Sequence, residues 1–148
     1  MKKKIAILGS TGSIGKTLIE IIKKDKKNFD IVLLTADKNY KEIFKQAKNL
    51  NVKNLIITDE KSFKQLKKKK LGNIKIFNNY DSFNKIFKKK IDYAMSSISG
   101  IHGLEPTIKI IKHTKKIAIA NKEAIICGWH LIKKDLAKHK TSFVPVDS

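Results

Sequence analysis

Short apolar segments typical of β-strands alternate with amphipathic segments typical of helices along the whole chain. Residues 31–34, Ile-Val-Leu-Leu, are apolar on both faces of a strand, as expected for a parallel sheet that helices cover on both sides. This alternation requires right-handed crossovers. It therefore predicts an α/β fold with an open, doubly wound, mostly parallel sheet and helices on both faces. The predicted strands are residues 5–8, 31–35, 54–57, 74–77, 92–96, 117–120 and 142–146.

Apolar residues three and four positions apart mark the helical segments. In the first of them, Ile14, Leu18 and Ile21 share one face, and Lys23 and Lys24 close the last turn favourably for the helix dipole. The other predicted helices lie around residues 40–47, 104–111 and 125–136, with shorter ones around 62–66 and 82–87.

The composition fits a single domain that covers residues 1–148, and a hydrophobic content of 41% excludes a wholly disordered chain. The single cysteine, Cys127, excludes a disulfide framework, and we expect it to be a buried thiol in the longest helix. No apolar run approaches the roughly 20 residues that span a bilayer. The apolar stretch after the basic start is too short for a signal peptide. We therefore expect a cytoplasmic protein with no membrane partner.

The chain has 33 basic and 13 acidic residues, a formal net charge of +20, and every basic residue is lysine. Proteins that grip phosphates usually include arginine, whose planar guanidinium binds them with two hydrogen bonds. The lysine runs at residues 67–70 and 88–90 follow predicted short helices, where solvated helix ends are expected. We interpret the charge as a solvated surface, and a basic nucleic-acid-binding module is the alternative function.

The first predicted strand runs directly into the segment Gly9-Ser10-Thr11-Gly12-Ser13-Ile14-Gly15 and then into a helix. This order is typical of Rossmann-like domains that bind dinucleotides. In such a loop Gly9 permits the tight turn, Gly12 lets the backbone approach a pyrophosphate, and Gly15 lets the helix pack closely on the strand. Free N–H groups at the start of the helix then favour an anion.

Gly15-Lys16-Thr17 resembles the end of a nucleoside-triphosphate P-loop, which is a competing interpretation. That motif requires glycine at position 10, where this chain has Ser10. The spacing G-x-x-G-x-x-G is instead a variant of the dinucleotide fingerprint, and we favour that interpretation. A tight turn without a ligand is the remaining alternative.

Polar residues follow other predicted strands. After the second strand, Asp37 would favour the ribose 2′-hydroxyl of NAD and Lys38 the 2′-phosphate of NADP, so spacing alone leaves the choice open. Asn121, Lys122 and Glu123 begin the longest helix, where capping and coenzyme contact are equally compatible with the residue types. For the small residues at 96–100 we favour a plain loop over a lining of the coenzyme groove.

These motifs, followed by Pro145-Val146-Asp147-Ser148, resemble in their order the N-terminal domain of the 1-deoxy-D-xylulose 5-phosphate reductoisomerases. The resemblance covers essentially the whole chain. It implies an oxidoreductase that depends on NADPH and on a divalent metal (Mn²⁺, Mg²⁺ or Co²⁺). Members of that family convert the phosphosugar 1-deoxy-D-xylulose 5-phosphate to 2-C-methyl-D-erythritol 4-phosphate in non-mevalonate isoprenoid biosynthesis. The resemblance also implies a homodimeric full-length enzyme.

The resemblance further implies roles for individual residues. Lys122 and Ser148 would contact the substrate, and Asp147 would be a metal ligand. Thr11, Gly12, Ser13 and Ile14 would contact the NADPH phosphates, and Asp37, Lys38, Asn39, Asn121 and Glu123 would complete the coenzyme site.

Three departures from the family pattern stand out. Asp37 replaces the usual glycine and places a negative charge beside the expected 2′-phosphate, and Ala124 replaces the usual serine. The family's other metal ligands, phosphate clamp and lid have no counterpart in residues 1–148. We therefore expect a coenzyme-binding domain whose last residues enter a catalytic region that is absent here, with negligible turnover.

Overall fold

The computed structural model describes residues 1–146, whose strands form one parallel sheet. The strands are β1 (Lys3–Leu8), β2 (Phe29–Ala36), β3 (Asn54–Ile57), β4 (Lys75–Phe77), β5 (Tyr93–Ser96), β6 (Lys116–Ile119) and β7 (Ser142–Pro145). Their order in the sheet is β4-β3-β2-β1-β5-β6-β7, and each strand pairs in parallel with its neighbours. The predicted doubly wound sheet is confirmed.

Helices connect the strands, as the periodicity predicts. They are α1 (Ser13–Lys23), α2 (Tyr40–Leu50), α3 (Glu60–Lys67), α4 (Phe83–Ile86), α5 (Leu104–Ile110) and α6 (Lys122–His139). Three single 3₁₀ turns accompany them at Tyr80–Ser82, Ile101–Gly103 and Ile111–His113.

The longest helix, α6, begins three residues before the apolar pattern does, because its first turn is polar and Asn121 caps it. Cys127 is exposed on this helix. The expectation of a buried thiol is therefore wrong: the buried stripe of α6 is formed by Ala124, Gly128 and Ile132, and Cys127 lies beside it. Within residues 1–146, no helix combines the length and the apolar character that crossing a membrane requires.

Two apolar layers sandwich the sheet. Helices α1, α2 and α3 pack on one face of the first strands, and α4, α5 and α6 pack on the opposite face. Burial of apolar side chains in both layers supplies the main driving force for folding. Fully buried members of the two layers include Ile7, Ile43 and Leu66 on the first face, and Leu8, Ile110 and Ile132 on the second.

Strand β1 lies at the centre of the sheet, between β2 and β5. The chain moves outward from β1 to β4 and then returns to place β5 on the other side of β1. Register pairs the last residue of β1, Leu8, with Thr35 of β2 and Ser96 of β5, so these strands end at the same edge. At such a reversal the loops diverge to opposite faces and leave a crevice for a ligand.

Candidate functional site

Two adjoining cavities lie over the carboxyl ends of the central strands. The larger, of about 480 Å³, lies over β1, β2, β3 and β5, and we call it the main cleft. The smaller, of about 250 Å³, lies over β5 and β6, and we call it the side cavity. Ser97, Ile98 and Ser99 line both, so the cavities adjoin at the loop that follows β5.

The glycine loop is fixed to the ends of both strands beside β1. The backbone N–H of Gly9 donates to Thr35 Oγ1 at 3.0 Å, and that of Ser10 donates to the Thr35 carbonyl at 2.9 Å. On the other side, the Ser97 hydroxyl donates to the Leu8 carbonyl at 2.7 Å. Gly9 has a φ of +79°, and a Cβ there would lie 3.0 Å from Ile98 Cγ1. Only glycine meets both constraints.

Helix α2 holds the same loop through a buried pair of hydrogen bonds. The Ser10 hydroxyl donates to Gln46 Oε1 at 2.8 Å, and Gln46 Nε2 donates to the Ser10 carbonyl at 3.0 Å. Ser10 is fully buried and Gln46 is 4% exposed. Because both partners are shielded from water, each bond fixes the loop more firmly than a surface bond would.

The amino end of α1 opens into the main cleft. Gly12 is the N-cap residue, lines the cleft, and supplies no side chain to the helix end. The first N–H groups of a helix lack intrahelical partners and carry a partial positive charge. A Cβ on Gly12 would meet only the Gly9 carbonyl oxygen, at 3.8 Å, whereas one on Gly15 would lie 2.7 Å from Ser10 Cα. The loop therefore combines tight packing of α1 with free space at Gly12, as a bound phosphate needs.

The far end of the main cleft lies where β2 and β3 end. Asp37 lines it, and Thr58 Oγ1 donates to Asp37 Oδ1 at 2.7 Å. Burial raises the pKa of Tyr80 to about 12, and the carboxylates of Asp37 and Glu105 act in the same direction. Asn39 caps α2 by accepting from the Glu42 N–H at 3.2 Å. This end of the cleft is thus polar and negatively charged.

Asn121 joins the start of α6 to the loop after β5. Its Oδ1 accepts from the Ala124 N–H at 3.0 Å, and its Nδ2 donates to the carbonyls of Ile98 and Gly100. The side chain is 4% exposed, so both of its polar atoms are used within the fold. The capping interpretation of Asn121 fits this geometry, and its contact with a coenzyme stays a prediction.

The structure brings most of the predicted site residues to the two cavities. Ser13, Lys38 and Asn39 are exposed at helix or strand ends and do not line either cavity. Asp147 and Ser148 lie outside the described residues. Thr11, Gly12 and Asp37 line the main cleft, and Ile14, Asn121, Lys122 and Glu123 line the side cavity.

Sequence reasoning missed several residues of the site. Gln46 could have been identified from the sequence, because it is a polar residue on the buried face of α2 beside Ile43 and Ala47. Thr58 could also have been identified, because it is the first polar residue after β3. The loop at 97–99 lines both cavities, so the prediction of a plain loop understated its place in the site.

A metal ion needs several ligands, and residues 1–146 contain no group of three or more His, Cys, Asp or Glu side chains that could hold one. The described donor set therefore does not fit a metal site by itself.

Comparisons with known proteins agree with this geometry. The family model described as 1-deoxy-D-xylulose 5-phosphate reductoisomerase matches residues 5–128. The chain is 64% identical over 152 residues to the 1-deoxy-D-xylulose 5-phosphate reductoisomerase of Pelagibacter ubique (strain HTCC1062). This match covers 99% of this chain and 38% of the relative. The chain thus spans well under half the length of that curated relative.

Solved structures show the same architecture. The reductoisomerase from Zymomonas mobilis in complex with NADPH matches with a TM-score of 0.90 and 29% identity, over 99% of this chain and 39% of that one. A DOX-P reductoisomerase in complex with magnesium matches with a TM-score of 0.88 and 25% identity, over 98% of this chain and 37% of that one. By sequence and by structure, the chain belongs to the 1-deoxy-D-xylulose 5-phosphate reductoisomerase family.

Proposed function

We propose that the chain is the NADPH-binding part of an enzyme that converts 1-deoxy-D-xylulose 5-phosphate to 2-C-methyl-D-erythritol 4-phosphate. The observation that carries the proposal is the amino end of α1, which opens at Gly12 into a cleft of about 480 Å³. The Zymomonas mobilis relative, which is in complex with NADPH, supports the choice of coenzyme.

The coenzyme would extend along both cavities. Its diphosphate would lie at the amino end of α1, where backbone N–H groups and the helix dipole favour negative charge. Thr11, Gly12, Ser13 and Ile14 would bind it there. The adenosine would extend toward Asp37, Lys38 and Asn39, and the nicotinamide toward the side cavity. NADPH, when bound, supplies the hydride for the reduction.

The residues at the start of α6 would serve the reacting end. Lys122 and Glu123 are exposed and line the side cavity. Lys122 would contact the phosphosugar substrate, and Glu123 the nicotinamide half of the coenzyme. Because Asn121 holds the Ile98 and Gly100 carbonyls, it would fix the loop against which the nicotinamide lies.

The proposal also covers the longer protein, of which this chain would be a part. Asp147 would supply one ligand to a divalent metal and Ser148 a contact to the substrate. The other metal ligands would come from the part of the family protein that this chain does not span. The longer protein would be a cytoplasmic homodimer, and this chain alone would show negligible turnover.

Calorimetric titration of the chain with NADPH tests the proposal, with Gly12→Ala as the diagnostic variant. A methyl group at Gly12 meets nothing closer than 3.8 Å, so the fold should accept it and the melting temperature should stay within a few degrees. The methyl would occupy space meant for the diphosphate, and we expect NADPH binding roughly a hundredfold weaker, about 2.7 kcal/mol.

Lys16→Ala is the matched control, because Lys16 is exposed one turn into the same helix. We expect it to change NADPH affinity by less than about threefold, as an exposed charge contributes little. Failure of NADPH to bind the unaltered chain, or equal affinity in Gly12→Ala, would contradict the proposal. Binding of ATP–magnesium that Lys16→Ala abolishes would favour the P-loop alternative.

A further inference from the structure

We propose that Asp37 makes the main cleft accept NADH nearly as well as NADPH. The inference rests on the proposed function and concerns the coenzyme's ribose. In open α/β sheets that bind dinucleotides, the substituent at the ribose 2′ position is received at the end of the second strand. An acidic residue there accepts hydrogen bonds from a 2′-hydroxyl, and it repels a 2′-phosphate.

Asp37 is held in place where the ribose would lie. It directly follows β2 and lines the main cleft. The Thr58 hydroxyl donates to Asp37 Oδ1 at 2.7 Å, and the Asp59 N–H donates to the Asp37 carbonyl at 3.1 Å. Asp37 Oδ2 has no hydrogen-bond partner and no ion-pair partner within residues 1–146. One carboxylate oxygen is thus fixed, and the other is available to a ligand.

Two residues that would favour a 2′-phosphate, Lys38 and Asn39, do not line the main cleft. Lys38 is exposed. The Asn39 side chain accepts from the Glu42 N–H at 3.2 Å to cap α2. Thr35, Ala36 and Asp37 line the cleft at this strand end, and Asp37 is the charged side chain among them.

The surroundings of Asp37 add negative charge to this end of the cleft. Glu105 and Tyr80 also line it. Burial, together with the Asp37 and Glu105 carboxylates, raises the pKa of Tyr80 to about 12, so its hydroxyl stays protonated. The Glu105 carboxylate is paired with Lys109 at 2.7 Å, whereas the side-chain partner of the Asp37 carboxylate in the described part of the chain is the uncharged Thr58 hydroxyl. A doubly charged 2′-phosphate would meet a carboxylate that forms no ion pair within residues 1–146.

Calorimetric titration of the unaltered chain with NADH and with NADPH tests the inference directly. We expect dissociation constants for the two coenzymes within about tenfold of each other, because like-charge repulsion offsets the extra contacts of the phosphate. Asp37→Gly and Asp37→Asn should both raise the preference for NADPH by roughly tenfold. Asp37→Asn keeps the side chain's size and an acceptor for Thr58, so it covers the case in which the glycine variant fails to fold.

Asp30→Asn is the matched control. Asp30 is exposed at the amino end of the same strand, about 23 Å from Asp37 at the usual rise per residue, and its loss changes the net charge equally. We expect the ratio of the two constants to stay unchanged in this variant.

The outcomes separate the inference from the proposed function. A preference for NADPH well beyond tenfold in the unaltered chain overturns the inference alone. The same follows if the preference is unchanged by both Asp37 substitutions, or is raised equally by Asp30→Asn. Absence of binding to either coenzyme overturns the proposed function itself.

Discussion

Replacing Gln46 by leucine tests whether helix α2 positions the glycine loop. In the native chain, Gln46 accepts from the Ser10 hydroxyl at 2.8 Å and donates to the Ser10 carbonyl at 3.0 Å. Leucine has a similar volume but offers neither group. The substitution therefore leaves the hydroxyl and the carbonyl of a fully buried residue without these partners.

The expected cost follows from those two groups. Each buried polar group left unpaired costs about 1–3 kcal/mol, so the gross loss is about 2–6 kcal/mol. The apolar side chain that replaces the amide returns about 1–2 kcal/mol through burial. We expect Gln46→Leu to lower the free energy of unfolding by about 0–5 kcal/mol, with a midpoint of about 2.5 kcal/mol. Adding Ser10→Ala removes one orphaned group, so the double variant should be less destabilised than the sum, with a coupling energy of about 1–2 kcal/mol.

Urea unfolding followed by circular dichroism measures the stability, and calorimetric titration with NADPH measures the site. As long as most molecules remain folded, lost stability alone barely changes the apparent affinity, because the affinity scales with the folded fraction. We expect a loss of NADPH affinity of roughly tenfold, about 1.4 kcal/mol, from displacement of the loop.

Gln65→Leu is the control for Gln46→Leu, because Gln65 is an exposed glutamine on the neighbouring helix α3. It should change the stability by less than about 0.5 kcal/mol and leave NADPH affinity as it was. If Gln46→Leu behaved like Gln65→Leu in both measurements, the reasoning that α2 fixes the loop would be refuted.

Four further predictions concern other residues. Gly15→Ala should destabilise the chain by at least about 2 kcal/mol in urea unfolding, since its Cβ would lie 2.7 Å from the backbone of Ser10. Asn121→Ala should cost about 2–3 kcal/mol, because it loses a cap and two buried donors. Asn39→Ala, which loses a cap alone, should cost about 1 kcal/mol in the same assay. Burial holds the pKa of His113 below its ordinary 6.5, so the unfolded chain binds a proton more readily. The melting temperature should therefore fall as the pH drops from 7.5 through 6.5 toward 5, and His113→Gln should flatten that dependence.

The sheet could be predicted from the sequence because its signals are local. Segments such as β3 are short, apolar on both faces and bounded by polar residues, and the predicted bounds of β3 agree with the structure. The glycine spacing likewise predicts the sharp turn at Gly9, since a backbone constraint leaves its mark in the residue type. The start of α6 was less visible, because Lys122 and Glu123 do not continue an apolar pattern.

The contacts within the site could not be predicted in the same way, because they join residues far apart in sequence. Gln46 meets Ser10 only after α2 packs against β2 and β2 pairs with β1. Thr58 meets Asp37 only after β2 and β3 pair. A polar residue on a buried helix face shows that a partner exists, but its identity depends on the tertiary structure. Cys127 shows the converse: an apolar-type residue near a helix stripe is exposed when the helix phase turns it outward.

The central place of β1 has a consequence for how the chain is assembled during synthesis. One edge of β1 pairs with β2 early, but the other waits for β5, which begins at Tyr93. Between completion of β4 at Phe77 and of β5 at Ser96, a ribosome working at ordinary speed leaves the backbone N–H and C=O groups of that edge unpaired for roughly one to four seconds. The half-sheet would then be most open to pairing with another nascent chain. The loop after β5 forms a wall of both cavities. The dinucleotide site is therefore complete only after β5 has formed, and a bound dinucleotide cannot assist the folding of the first four strands.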